Sequence, residues 1–436
     1  MFNSLPVSME RLVDKVTLLY QNDPKIQSLF QNCFTNTYRT TLKNQEDGTM
    51  FVITGDIPAM WLRDSAAQVR PYLVLAEEDK YIADMIEGVI FKQMSYINHD
   101  PYANAFNEEP NGERYHDDKT EMTPLIWERK YEVDSLCYPL HLSYLFWKST
   151  GRTSHFNEVF QKVVQKILNV WETEQNHEEY SNYFFEREND RLQDTLTNNG
   201  KGSPVGYTGM TWSGFRPSDD ACQYGYLIPS NMFAVVVLEQ VIEISDKILQ
   251  DEKISNQSRC LAKKIDQGIR KYGTVDHPEY GEIFAYETDG LGNYNLMDDA
   301  NVPSLLSIPY LGYCSIDDTI YQNTRQFLLS TSNPYFYEGK VARGIGSPHT
   351  PKSYIWHIAL AIQGMTAKTD EEKQNILNLF KQTDGETNFM HEGFYVDDPK
   401  QFTREWFSWA NAMFSEFILH LNGINVKGSA LENNKK

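Results

Sequence analysis

Long segments rich in Gly, Pro, Asn, Asp and aromatic residues recur after every second stretch of helical periodicity, and this alternation limits what the chain can become. Apolar residues three and four apart predict helices near 24–42, 65–78, 80–97, 131–149, 155–175, 227–250, 256–273, 303–313, 315–331, 353–367, 370–384 and 404–422, with a leading helix near 10–21. Six long segments separate the pairs, near 43–64, 98–130, 176–226, 274–302, 332–352 and 385–403. Connections longer than about 15 residues are uncommon in compact domains unless they carry function. If the last helix packs on the one near 24–42, six helix pairs close into a ring with every long loop on one face. The expected fold is therefore all-α, an (α/α)6 toroid. A superhelical stack of helix pairs would need a fixed repeat length and similar repeats, which the sequence lacks. Residues 1–23 are expected to form an N-terminal helical extension, 24–422 the toroid, and 423–436 a flexible tail.

Charge and composition narrow the ligand class. Sixty Asp plus Glu against forty Lys plus Arg leave a net charge of -20, which repels polyanions, so no nucleic-acid partner is expected. Aromatic residues make up 13% of the chain, many of them beside Asp, Arg or Asn, a mixture suited to sugars. Cys33, Cys137, Cys222, Cys260 and Cys314 are odd in number and never in a CxxC pair, so they read as reduced core residues. With no signal-peptide-like N-terminus and no apolar run of about 18 residues, a soluble cytoplasmic protein without membrane contact is expected. No obligate protein partner is indicated. Several signatures fail. Gly344-Ile345-Gly346 lacks the rest of a dinucleotide loop, and His391-Glu392-Gly393-Phe394-Tyr395 puts Tyr395 where a second zinc ligand belongs. Neither a cofactor nor a metal is expected.

Three loops hold the candidate chemistry. The first ends in Thr54-Gly55-Asp56-Ile57-Pro58-Ala59-Met60-Trp61-Leu62-Arg63-Asp64-Ser65. Asp64 or Ser65 could cap a helix and Arg63 could pair with an Asp; equally, carboxylates and a guanidinium can grip sugar hydroxyls while an indole covers the ring. The third contains Trp212-Ser213-Gly214-Phe215-Arg216-Pro217-Ser218-Asp219-Asp220. Those acidic residues could simply begin a helix, but adjacent carboxylates near aromatics could also hold one proton near neutrality through mutual repulsion and burial. In the sixth, Glu392 beside Gly393 and Phe394 is a candidate base, and Asp397 and Asp398 suggest a turn before Pro399. The second loop adds Trp127-Glu128-Arg129-Lys130-Tyr131-Glu132-Val133-Asp134, and the fifth adds His349.

The strings GDIPAMWLRDS, IWERKYEVDSLCYPL, GMTWSGFRPSDD, YLIPSNMFAVVVL, DGLGNY, NVPSLLSIPYLGYCS and REWFSWANAMFSE resemble glycoside hydrolase family 125, the bacterial and fungal exo-α-1,6-mannosidases, over about residues 30–420. The resemblance implies an (α/α)6 catalytic domain, removal of terminal α-1,6-linked mannose with inversion, α-1,6-mannosides as partners and no metal. It places the general acid at Asp219, with Asp220 the fallback, and the general base at Glu392. Asp56, Trp61, Arg63, Asp64, His349 and Arg404 are expected to hold the terminal mannose. Inversion by single displacement sets the two carboxyl groups roughly 6.5–9.5 Å apart. Other readings are a toroidal glucoside hydrolase or polysaccharide lyase, a terpenoid cyclase, whose cavity would be less polar than these loops, and a sugar-binding protein without catalysis.

Overall fold

Helices of two kinds alternate along the chain, and their burial explains the architecture. In the computed structural model, which describes residues 4–188 and 191–433, the helices Pro24–Thr40, Lys80–His99, Glu158–Glu174, Glu252–Tyr272, Thr319–Leu328 and Asp370–Thr383 each bury one stripe. In Glu252–Tyr272 the stripe includes Ile254, Leu261, Ile265 and Ile269, and the opposite face is charged. Alternating with these are Leu62–Val69, Val133–Thr150, Ile228–Ile244, Ile308–Leu311, His357–Met365 and Ser408–Leu421, buried almost all round. A helix apolar on every face belongs inside, so the second set forms the inner ring and the first set the outer. Ser408–Leu421 packs on Pro24–Thr40 and on Leu62–Val69, which closes the (α/α)6 toroid.

Capping follows the same division. Asp23, Asp79, Asn157, Asp251, Asp318 and Thr369 cap the six outer helices, each side chain accepting from a first-turn backbone N–H. The six inner helices begin at Trp61, Glu132, Leu227, Ser307, Trp356 and Phe407 with no side-chain cap. Short antiparallel strands lace the loops above them. Met60–Trp61 pairs with Ala105–Phe106, which pairs with Ile126–Glu128. Tyr226–Leu227 pairs with Glu287–Thr288, and that strand with Tyr294–Asn295. Tyr354–Trp356 pairs with Gly393–Tyr395 so that Trp356 faces Gly393, and Gly393–Tyr395 pairs with Asp398–Thr403. A β-bridge between Gly55 and Phe407 helps tie the first loop to the last. Gly55 has φ +136, and a Cβ there would lie 2.3 Å from the Trp406 carbonyl oxygen, so this closure admits only glycine.

Several expectations change. The helix expected near 303–313 contracts to Ile308–Leu311, because Ser304 and Ser307 exchange hydroxyl bonds with each other's backbone N–H and Gly312 takes a left-handed conformation. The helix near 65–78 starts earlier, at Leu62, and tightens into a 3₁₀ turn over Arg70–Val74, where Pro71 offers no N–H to the α ladder. Neither Asp64 nor Ser65 caps it; both lie inside its first turns. The expected leading helix forms as Val7–Leu19, whereas the segment expected as a flexible tail is packed structure. Met9, Leu12, Val13 and Val16 of Val7–Leu19 join the main core, as do Val426 and Leu431, because each segment carries enough apolar surface to be held down. The last three residues of the expected tail, 434–436, lie outside the described residues. Cys33, Cys137 and Cys222 are buried as expected, but Cys260 is exposed and Cys314 only partly covered. Among the described residues, no helix is long and apolar enough to cross a membrane.

Candidate active site

Because the inner helices start beneath the loops, their first residues floor a pocket. Arg63 and Asp64 come from the first turn of Leu62–Val69, Trp409 from that of Ser408–Leu421, and Trp356 and Phe407 are the residues before two inner helices. Loop residues complete the wall: Thr54, Ile57, Trp61, Ser218, Asp219, Asn301, His349, Glu392 and Arg404. This inner pocket, with about 360 Å³ of atom-free space, opens into a wider one of about 1120 Å³. The outer pocket shares Trp61, Asp219, His349, Glu392 and Arg404, and adds Asp56, Tyr115, Trp127, Lys130 and Arg187 among others.

Thus Trp61, Arg63, Asp64, Asp219, His349, Glu392 and Arg404, scattered over 344 positions of sequence from Trp61 to Arg404 (404 minus 61, counted inclusively), share one wall. Asp56 sits at the mouth instead. Arg404 Nε donates to Asp56 Oδ1 at 3.0 Å and Oδ2 at 3.1 Å, and Arg404 Nη2 donates to Thr54 Oγ1 at 3.2 Å. The same guanidinium reaches toward Glu392 Oε1, 3.7 Å from its Nη1, so one cation faces both the mouth and the candidate base.

The Asp219-Asp220 pair does not start a helix. Arg216 N–H donates to Asp220 O, Asp219 N–H donates to Arg216 O, and Asp219 adopts φ +64, a left-handed conformation uncommon outside glycine. That turn sends the two side chains apart. Asp219 lines both pockets, accepting from Arg63 Nη2 at 3.0 Å, while Asp220 is buried and takes the His349 Nδ1 contact at 2.9 Å. Of the two, the pocket-facing carboxyl is Asp219.

The expectation that proximity and burial would raise this carboxyl's pKa is overturned. Burial alone would raise it, but the Arg63 guanidinium beside it, with Glu132, Lys130 and His349, holds Asp219 well below the usual carboxylate range. The raised carboxyls are its neighbours. Burial lifts Asp64 to about 6 despite Arg63 and Arg404, and lifts Glu132 and Asp134. For His349, burial works against the charged form, but the bond and charge of Asp220, with Glu392 and Asp219, raise it to about 9. His349 is therefore an imidazolium at neutral pH, a donor facing the pocket.

That shift has a sign. Because the folded-state pKa exceeds the unfolded value of about 6.5, the Asp220–His349 pair stabilises the fold fully below about pH 6.5 and loses this as pH rises through 9. In His349→Asn, denaturant midpoints measured at pH 6.5 and at pH 9.5 should differ less than in the wild type.

Some site residues carried no sequence signal strong enough to assign them. Trp356, Phe407, Trp409 and Asn301 also line the inner pocket and were not among the expected site residues, although Phe407 and Trp409 lie in the REWFSWANAMFSE string. The one shared trait of Trp356, Phe407 and Trp409 is position, since each stands at the start of an apolar helical stretch.

Comparisons with known proteins agree with this fold. The sequence model of one family, described as metal-independent alpha-mannosidase (GH125), matches residues 23–419. A solved Streptococcus pneumoniae structure, described as a metal-independent alpha mannosidase in a non-productive substrate complex with alpha-1,6-mannobiose, is 51% identical, with a TM-score of 0.93 over 94% of this chain and 97% of that one. The meiotically up-regulated gene 157 protein of Schizosaccharomyces pombe is 39% identical over 95% of this chain and 85% of its own length. A glucoamylase from Saccharomycopsis fibuligera, 12% identical with a TM-score of 0.56 over 95% of this chain and 96% of its own, shares the fold alone.

Proposed function

Given that the chain belongs to glycoside hydrolase family 125, the metal-independent α-mannosidases, we propose that it is an exo-acting, inverting hydrolase of terminal non-reducing α-1,6-linked mannose. The observation that carries this reading is the convergence of Asp219 and Glu392, from two distant loops, on one small pocket walled by Trp61, Arg63, Asp64, His349 and Arg404. Exo action is supported by the pocket's floor: Arg63 and Trp409 are 2% and 1% exposed, so the chain of sugars has no way through, while the outer pocket leaves room for the rest of the glycan. The Streptococcus pneumoniae relative's complex with alpha-1,6-mannobiose supports the linkage.

In this reading Trp61 covers the apolar face of the terminal sugar, and Asp64, His349 and Arg404 hold its hydroxyls. Asp56 acts through Arg404, which it pins at the mouth. Asp219 donates a proton to the glycosidic oxygen as the bond to the anomeric carbon breaks. Glu392 takes a proton from the water that attacks the opposite face. Asp219 can serve as the acid only when protonated, and Arg63 opposes this. The proton it delivers must then be held elsewhere in the buried cluster. Five cysteines without a disulfide favour a reducing compartment, and we place the protein in the cytoplasm on that basis.

Incubation with α-1,2-, α-1,3- and α-1,6-linked mannobiose, following free mannose, tests the assignment. Release from the α-1,6 isomer alone is expected, with β-mannose as the first anomer in a proton NMR time course. Release from all three would remove the linkage assignment, and α-mannose appearing first would remove inversion.

A further inference from the structure

Four carboxyl groups converge on one guanidinium beneath the pocket. Arg63 Nη1 donates to Glu132 Oε2 at 2.5 Å and to Asp134 Oδ2 at 3.2 Å, its Nη2 donates to Asp219 Oδ1 at 3.0 Å, and its Nε lies 3.7 Å from Asp64 Oδ2. The other cations nearby are already engaged. Lys130 Nζ donates to Asp194 Oδ1 and to the backbone oxygen of Asp219, and His349 is bound to Asp220. If all four carboxyls were ionised, buried negative charge would stand uncompensated, which proteins avoid by binding a proton.

Glu132 is where the proton fits. Its side chain has no solvent exposure. Oε2 accepts from Arg63 and from Ser135 Oγ at 2.6 Å, while the enclosed Oε1 meets no N–H or O–H donor. The carboxyls of Glu132 and Asp219 occupy neighbouring nitrogens of the same guanidinium and lie within hydrogen-bonding reach of each other. A carboxyl oxygen that lacks a donor and lies beside a second carboxylate calls for an O–H of its own. Titration agrees. Burial first, then Asp219 and Asp134, push Glu132 well above the usual carboxylate range against the pull of Arg63, while Asp219 moves the opposite way. Other groups facing the pair are Asp64, Lys130, His349 and the buried Cys222 thiol.

We propose that Glu132 is a positioning residue for glycosidic cleavage: before substrate binds it stores the proton that Asp219 delivers, and it passes it to Asp219 when the sugar fills the pocket. The proposal rests on the reading of Asp219 as general acid. The trigger is dehydration. The Asp219 side chain is 25% exposed, and a seated sugar removes that water, which disfavours its charged form and draws the shared proton across. Asp219 then gives the proton to the departing oxygen and the pair is left doubly ionised. It regains one proton from water on product release, matching the one that Glu392 has taken from the attacking water and returns to solvent.

The test compares α-1,6-mannobiose, whose leaving alcohol needs a proton, with 2,4-dinitrophenyl α-mannoside, whose leaving phenolate does not. Glu132→Gln keeps the size and one acceptor but stores no labile proton. It is expected to lose about 10² in kcat/KM on the mannobiose and less than about fivefold on the aryl mannoside, with the alkaline limb of the mannobiose pH profile moved to lower pH. Equal losses on both substrates, with an unmoved limb, would reduce Glu132 to a structural partner of Arg63. Glu132→Asp guards against a folding defect: it retains a protonatable carboxyl and is expected to keep mannobiose turnover within about tenfold of wild type. A loss on mannobiose as large in Glu132→Asp as in Glu132→Gln, in a folded protein, would overturn the proposal. Asp219→Asn run alongside separates the two claims, because leaving-group dependence in Asp219→Asn without any in Glu132→Gln would remove Glu132 alone.

Discussion

Glu392→Gln is expected to lower turnover of α-1,6-mannobiose by about 10² to 10⁴ while the protein stays folded. The amide keeps the shape of the side chain and can still meet the attacking water, but it cannot accept that water's proton. Since activation of water is needed whatever group departs, α-mannosyl fluoride should be hydrolysed as poorly as the disaccharide. Paired assays on the two substrates check this, with thermal unfolding to show an intact fold. Wild-type turnover of either substrate would remove Glu392 as the base. The contact with Arg404 at 3.7 Å is long for an ion pair, so little folding stability should be lost with the charge.

Asp219→Asn is expected to produce a loss of similar size on the disaccharide, again about 10² to 10⁴, but with a different substrate pattern. Fluoride departs without a proton, so α-mannosyl fluoride should retain most of its wild-type rate. Stability adds an independent readout. The Asp219 carboxyl is held below its unfolded value, so its pairing with Arg63 stabilises the fold above the ordinary carboxylate range and is lost as pH falls through the lower folded-state pKa. The Asn variant should therefore show a flatter fall in stability on the acid side, measured by denaturant midpoints from pH 7 downwards. An unchanged acid limb would mean that Asp219 is not held ionised by Arg63.

The two variants together separate the two halves of a single displacement, one on each face of the sugar. Their contrast on the fluoride depends on two residues 173 positions apart in the chain. Asp219 reaches the pocket from a left-handed turn in the third loop, and Glu392 from the segment that leads into the Gly393–Tyr395 strand. Neither placement is local.

The repeat of helix pairs and long loops was legible because amphipathic and wholly apolar stretches carry their burial in their residue spacing, and burial of that spacing dictates an inner and an outer ring. The membership of the pocket was partly legible too. Trp61, Arg63, Asp64, Asp219, His349, Glu392 and Arg404 stood out because charged and aromatic residues were crowded into loops whose strings resemble a known family. Trp356, Phe407 and Trp409 did not, since an aromatic residue at the start of an apolar helix looks like core until the helix is known to open onto a cavity.

Protonation could not be read from order along the chain. Adjacency of Asp219 and Asp220 suggested a mutually raised pair, but one left-handed residue turns them to different partners, Arg63 and His349. Glu132, unremarkable within its own segment, becomes the group with a bare buried oxygen only when the ring brings it to the guanidinium of Arg63. The amino-acid order thus determined which stretches are helical, which faces are buried and which residue types supply the chemistry, since those follow from short-range spacing. Charge state and the pairing of groups depend on distances across the fold and on the water excluded between them, and only the closed toroid sets those.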